Sequence, residues 1–252
     1  MEPLDLHPWR VSYAQALEIQ ASLRRRMRLT PLRRAPRLVA GADVAYSRLT
    51  HRMYAAVVVM EMPSFEVVEV AESVSSARFP YIPGLFSFRE IPPLLRAFGR
   101  LRRTPDAILF DGQGLAHPRR FGLACHAGVL LATPTIGCAK SRLVGEHAPV
   151  GPRRGDRADL LFEGEVVGVA LRTRAGVKPV FVSAGHRVDL ASAIDVVLAT
   201  TRGFRLPEPV RLAHRATTAL MRRADPRLSP PRRRDYPDLL KAVRTRRGDA
   251  SR

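Results

Sequence analysis

Two aspartates stand where carboxylates are expensive. Asp43 interrupts the apolar run VAGADVAY, and Asp111 closes AILFD just before Gly112. An unpaired carboxylate within or at the tip of an apolar strand is costly unless a cation or a metal meets it. Two strand carboxylates joined by a third from a helix would form an oxygen-rich site. Such a site suits hard Mg²⁺ or Mn²⁺ and not zinc, which prefers His and Cys. The plainer reading of each aspartate is a turn or capping acid, and on these residues alone both readings stand. Glu90 has an ordinary explanation in the S-x-x-E spacing from Ser87, the signature of a capping box.

Other chemistry-bearing residues are weaker signals taken singly. His117, His126 and His214 each have a structural reading. His214 shares a helical stripe with Val210, Ala213, Thr217 and Met221, which gives it an inward direction. Gly112-Gln113-Gly114 lacks the remainder of a dinucleotide or phosphate-loop pattern. Ser183 and His186 lack a G-x-S-x-G elbow, which disfavours a hydrolase of that kind. Lys140 follows a Gly-containing strand and is either a phosphate-neutralising cation or a solvated surface lysine. Tyr81, held between Pro80 and Pro83, is either a packed turn or a rigid aromatic tip able to wedge into a base stack.

The elements that must position these residues can be read from periodicity. Ser12 caps a helix over YAQALEIQASLRRRM that ends before Pro31. LVAGADVAY, MYAAVVVME and FEVVEVAES read as a three-stranded meander. RFPYIPG is an irregular loop because its prolines block pairing. A helix is expected from about Ser87, with Pro92 and Pro93 placed awkwardly for that start. DAILFD is a short buried strand, FGLACHAGVLLA a helix and TIGCA another strand. VVGVALRT and PVFVS add two strands. Asp189 caps LASAIDVVLATTRG, and a last helix covers PVRLAHRATTALMRR with Pro209 in its first turn. The order predicts one α/β domain over residues 1–225 with a central mixed sheet flanked by helices.

The chain has 252 residues, enough to bury a core without a disulfide or metal staple. Its 46% apolar content argues against wholesale disorder. The N-terminal segment lacks the pattern of a secretory signal, and no run of 18 apolar residues exists to span a membrane. Cys125 and Cys138 have no CxxC spacing, so a reduced, cytoplasmic setting is expected.

Charge is the outlier, with a net of +19. Lysine occurs only at Lys140, Lys178 and Lys241, so 39 of the 42 basic residues are arginine. Arginine suits bidentate phosphate contacts, and GC-rich coding would also supply it. Residues 1–38 carry a net of +5 and residues 205–252 a net of +9, leaving the middle near balance. Basic flanks of this kind grip polyanions through counterion release. Residues 226–252, with four prolines and Arg232-Arg233-Arg234, are expected to form a loose basic tail.

AGADVAYS, RFPYIPGLFSFRE, DAILFDGQGLAHPRRFGLACHAGVLL, PTIGCAKSRL and VSAGHRVDLASA occur together in this order and spacing. The sequence thereby resembles the endonuclease V family over roughly residues 12–222. The resemblance implies a ribonuclease H-like fold, with Asp43, Asp111 and Glu90 matching the metal-binding acids. It places Lys140 and His214 among the catalytic residues, and Asp106, His117 and His126 at supporting positions. Pro80, Tyr81, Ile82 and Pro83 match the lesion wedge, and Gly84, Leu85 and Phe86 follow as the lesion pocket. Cys125 departs from the small hydroxyl residue usual beside His126. The implied activity is Mg²⁺-dependent cleavage of the second phosphodiester bond 3′ to deoxyinosine in DNA, by a monomer, with Mn²⁺ as a substitute metal. Two alternatives remain, an endoribonuclease acting on inosine-containing RNA and a non-catalytic nucleic-acid binder.

Overall fold

A computed structural model describes residues 1–225 and 227. The expected tail thus lies almost entirely outside the described residues. The first helix, α1 (Tyr13–Arg24), starts on a full capping box: Ser12 accepts from the Gln15 backbone, and the Gln15 side chain accepts from the Ser12 N–H. Three antiparallel strands follow, β1 (Leu38–Tyr46), β2 (Arg52–Glu61) and β3 (Glu66–Ser76). Val and Ala dominate β2, which is buried on both faces between helices.

The helix α2 (Phe86–Phe98) begins earlier than its sequence suggests and lacks a side-chain cap. The Ser87–Glu90 capping box does not form, because Ser87 spends its hydroxyl on His126 at 3.0 Å. Pro92 and Pro93 sit inside the helix instead of ending it. They remove two backbone donors, and the Pro93 carbonyl gains a bond from the Ser73 hydroxyl at 2.6 Å.

The remaining elements are β4 (Ala107–Phe110), α3 (Leu123–Leu131), β5 (Thr135–Ala139), β6 (Arg157–Phe162), β7 (Glu165–Leu171), β8 (Val180–His186), α4 (Leu190–Ala199) and α5 (Glu208–Ala224). Asp189 caps α4 through the Ser192 N–H at 2.8 Å. The strand β6 is absent from the sequence reading, since RADLLF alternates only over its first four residues before a register shift at Leu160/Leu161. Its signal was the two-residue turn Glu163-Gly164, where both residues take positive φ, 52° and 79°.

All eight strands form one mixed sheet in the order β3-β2-β1-β4-β5-β8-β7-β6. The fold is α/β and ribonuclease H-like, as expected. The strands β1, β4 and β5 run parallel, so their carboxyl ends share one edge. In α/β sheets that edge is where ligands bind. Alternation along the strands then sorts the side chains. Ala40, Ala42, Ile108 and Phe110 pack under α2 and α3, whereas Val39 and Leu109 face the α4 and α5 side. By the same alternation Asp43 and Asp111 lean toward the face that α5 covers.

Gly41 makes that covering close. A Cβ on Gly41 would strike the Pro209 carbonyl group and the Val210 nitrogen, so α5 rests directly on the β1 backbone. Both cysteines are free and buried. Among the described residues no helix is long and apolar enough to cross a membrane.

Candidate active site

The register of the parallel strands sets the acids side by side. Ala42 pairs with Phe110, which brings Asp43 level with Asp111 at the sheet edge. Lys140 leaves the end of the neighbouring β5 and meets the Asp111 carboxylate in an ion pair. The Arg205 guanidinium holds the Lys140 carbonyl at 2.5 Å and so fixes the base of that lysine. From α5, His214 Nδ1 lies 3.2 Å from Asp43 Oδ2, and the Thr217 hydroxyl donates to the same oxygen at 2.6 Å. Glu90 enters from α2. Asp43, Glu90, Asp111, Lys140 and His214 line one pocket of about 500 Å³, together with Gly84, Phe86, Gln113 and His117.

The electrostatics of the pocket are uneven. Burial pushes the Glu90 carboxyl up to about 8, with repulsion from Asp43 and Asp111 adding to it. Burial also works to raise Asp43, but hydrogen bonds from His214 and Thr217 outweigh it and hold Asp43 below the usual carboxylate range. His214 is raised chiefly by its bond to Asp43. Burial, helped by the nearby Arg119, takes His117 down to about 4, so its ring is neutral. Its tautomer is fixed as well: Nδ1 accepts the Arg119 N–H at 3.2 Å, and Nε2–H donates to the Gly84 carbonyl at 3.1 Å.

Three carboxylates around one pocket, one of them destabilised by the other two, form a donor set suited to a hard divalent cation. Their present partners are protein groups. Among the described residues no three His, Cys, Asp or Glu side chains already converge as a ligand cluster. Lys140 engages Asp111, while His214 and Thr217 engage Asp43.

Beside the pocket stands the Pro80–Pro83 loop. Tyr81 is 66% exposed at its tip and meets Phe86 edge-on, with ring centroids 4.4 Å apart. Pro80 and Pro83 are exposed, whereas Ile82 leans on the cluster of Phe79 and Phe88. Gly84 and Phe86 line the pocket. Leu85 does not, because its side chain is fully buried with Ala16, Phe79 and Phe88.

Two expected supporting residues lie elsewhere. Asp106 sits at the opposite end of the sheet, where its Oδ2 accepts the backbone N–H groups of Arg37 and Leu38, each at 2.9 Å. It anchors the start of β1 and does not reach the pocket. His126 is fully buried behind α2, with Nε2 2.8 Å from His7 Nε2 and Trp9, Phe88 and Phe121 around it. Its contact to Ser87 ties α3 to the first turn of α2, the turn that precedes Glu90.

Thr217 was visible in the sequence only as part of the His214 stripe. Its hydroxyl bond to Asp43 had no local signal, since the two lie 174 residues apart. Gln20 was missed entirely and reads as one polar position in an amphipathic helix. It is buried and reaches the Gly84 carbonyl from α1.

A mixed sheet of this topology with carboxylates at adjacent parallel strand ends fits a nuclease of the ribonuclease H-like class, the expectation raised by the sequence. The Endonuclease V family model matches residues 21–215. Endonuclease V of Dehalococcoides mccartyi strain CBDB1 is 49% identical over 216 residues, covering 86% of this chain and 97% of that one. The crystal structure of endonuclease V from Streptomyces avermitilis superposes with a TM-score of 0.83 at 44% identity, over 86% of this chain and 96% of that one. Endonuclease V of Ciona intestinalis, solved with a 23mer DNA containing an inosine followed by a ribo-adenosine, is 27% identical with a TM-score of 0.76. That match covers 85% of this chain and 100% of that one. This chain belongs to the endonuclease V family and is an endonuclease.

Proposed function

We propose that this endonuclease repairs DNA by recognising deoxyinosine and related deaminated bases and cutting the second phosphodiester bond on their 3′ side. Water adds to phosphorus and the bond to the 3′ oxygen breaks, leaving a 3′-hydroxyl and a 5′-phosphate. The observation that carries this reading is the convergence of Asp43, Glu90, Asp111, Lys140 and His214 on one pocket beside the exposed Tyr81 tip. The inosine-containing DNA bound by the Ciona relative supports the choice of lesion.

Asp43, Glu90 and Asp111 are the residues that would hold Mg²⁺, or Mn²⁺ in its place. When bound, such an ion activates water and stabilises charge on the leaving oxygen. The residues themselves do the rest. Lys140 offers a cation at the strand end to the scissile phosphate, and Asp111 keeps it in place. His214, whose protonated form its bond to Asp43 favours, is a second donor for phosphate or water. Thr217 fixes the orientation of Asp43. Tyr81 fills the gap in the stack when the lesion turns out, and a mispaired inosine costs less to extrude than a paired base. Gly84, Gly112 and Gln113 line the pocket where the edge of hypoxanthine would lie. The chain acts as a monomer, and its arginine-rich flanks supply grip on the duplex independent of sequence.

Two variants test these assignments. Thr217→Val removes the hydroxyl but keeps the shape, so Mn²⁺ affinity measured by calorimetry is expected to fall about 10-fold. Unchanged affinity would show that Thr217 does not orient a metal-holding carboxylate. Tyr81→Ala removes one aromatic stacking surface, which contributes about 1–3 kcal/mol per base. Binding to an inosine duplex should therefore weaken by roughly 10-fold or more, while binding to an undamaged duplex changes little. Equal losses on both duplexes would rule out the wedge role. Matched inosine-containing DNA and RNA strands, cut in parallel, decide between deoxyribonuclease and ribonuclease action. The ribo-adenosine in the Ciona complex makes that comparison pertinent.

A further inference from the structure

The helix α1 supplies no residue to the pocket, yet it reaches the pocket wall through one buried side chain. Gln20 is 1% exposed and uses both ends of its amide. Its Nε2 donates to the Gly84 carbonyl at 3.1 Å and to the Phe121 carbonyl at 3.3 Å. Its Oε1 accepts from Arg119 Nε at 2.6 Å, and the same guanidinium donates through Nη2 to the Gly84 carbonyl at 2.5 Å. His117 Nε2–H supplies a third donor to that oxygen at 3.1 Å. One carbonyl is thus gripped from α1 and twice from the loop after β4.

The position of that carbonyl gives the grip its meaning. Gly84 ends the Pro80–Pro83 loop and lies two residues before Phe86, which lines the pocket and touches Tyr81. Gly84 has φ +78°, and a Cβ there would stand 2.7 Å from Arg119 Nη2. Both the backbone conformation and the closeness of Arg119 therefore demand glycine. A buried amide must be fully paired to be tolerated. A helix needed only for packing would carry an apolar residue at this site, as it does at Ala16 and Leu23.

We propose that Gln20 is a positioning residue for base recognition: with Arg119 it locks the peptide at Gly84, fixing the Tyr81 tip relative to the pocket and so setting the preference for a deaminated base. This rests on the function proposed above. Gln20 touches neither base nor phosphate and acts through Gly84 and Arg119.

The test uses the full chain and two variants. Gln20→Leu keeps the bulk but removes both donated bonds and the acceptor for Arg119. Arg119→Lys keeps the charge but loses the planar fork that joins Gln20 to Gly84. Dissociation constants are measured for an inosine-containing duplex and for the matched adenine-containing duplex, and thermal melting reports folding. The inosine preference should fall about 10-fold or more in each variant, since small misplacements at such sites are costly. Affinity for the adenine duplex should stay within about 2-fold of the starting value, because sequence-independent phosphate contacts supply it. A purely structural role would weaken both affinities together and leave their ratio intact, and that result overturns the proposal. If Gln20→Leu fails to fold, Arg119→Lys decides alone, and an unchanged ratio in it is equally fatal. A starting protein without inosine preference would overturn the functional reading and the clamp together. Preference that persists in folded variants would overturn the clamp alone.

Discussion

Asp111→Asn and Asp43→Asn each lower the single-turnover rate on an inosine-containing duplex by about 10³-fold or more, corresponding to about 4 kcal/mol of transition-state stabilisation. Both carboxylates stand at adjacent strand ends, where their protein partners are Lys140 for Asp111 and His214 and Thr217 for Asp43. Asn preserves the shape of each, so the fold and the hydrogen bond from Thr217 can persist. What is lost is an anionic oxygen donor for a hard cation, and for Asp111 also the counter-charge that fixes Lys140. Binding is expected to hold or tighten, because a phosphate entering the pocket meets one negative charge fewer. The check is a rate and a dissociation constant on the same labelled duplex. A variant that cuts at near the original rate, or one that loses rate only in proportion to affinity, contradicts the assignment.

Gly41→Ala is expected to destabilise the protein by about 3 kcal/mol, at the upper end for overpacked cores. The added methyl has nowhere to go. Its place is taken by the Pro209 carbonyl group, which is backbone and cannot rotate aside. The helix α5 must therefore back away from β1. For a chain of this size that loss corresponds to a fall in Tm of roughly 6–12 °C. The retreat also separates His214 and Thr217 from Asp43, so cleavage should drop more than the folded fraction explains. Thermal melting and a rate at a temperature where both proteins are folded check the two parts. A Tm within about 1 °C of the original would show that α5 does not rest on Gly41 as described.

These two sites show why the sequence was legible in part. The strand β1 runs over LVAGADVAY, as its pattern indicates, because alternation and β-branched residues are local properties. The same holds for Ser12 and Asp189 as caps, and for TIGCA as a short buried strand. The three acids carry a family signature and fall on one pocket, but nothing local aims Glu90 inward. Its capping-box spacing with Ser87 pointed to a surface role. The competing partner for Ser87 is His126, 39 residues away, which is itself met by His7 from 119 residues away. Asp106 illustrates the converse, a motif residue whose task is to hold two backbone N–H groups at the far end of the sheet. Leu85 sits beside pocket residues in sequence, yet the turn at Gly84 sends its side chain into the core. Gln20 and Thr217 matter through partners contributed by distant elements, and polar side chains on amphipathic helices announce no such partners.

The division of charge also gains a physical setting. Asp43, Glu90, Asp111 and Lys140 lie in the near-neutral middle of the chain, whereas His214 and Thr217 come from its basic C-terminal part. The basic excess sits toward the ends.

The pocket is expected to cut DNA at a fixed place relative to inosine. The most direct measurement is end-group mapping of products from an inosine-containing duplex incubated with the protein and Mg²⁺. A single nick at the second phosphodiester bond 3′ to inosine, with a 3′-hydroxyl and a 5′-phosphate, is the expected result. An intact duplex under conditions where the folded protein binds it, or nicks placed without regard to inosine, would contradict the account.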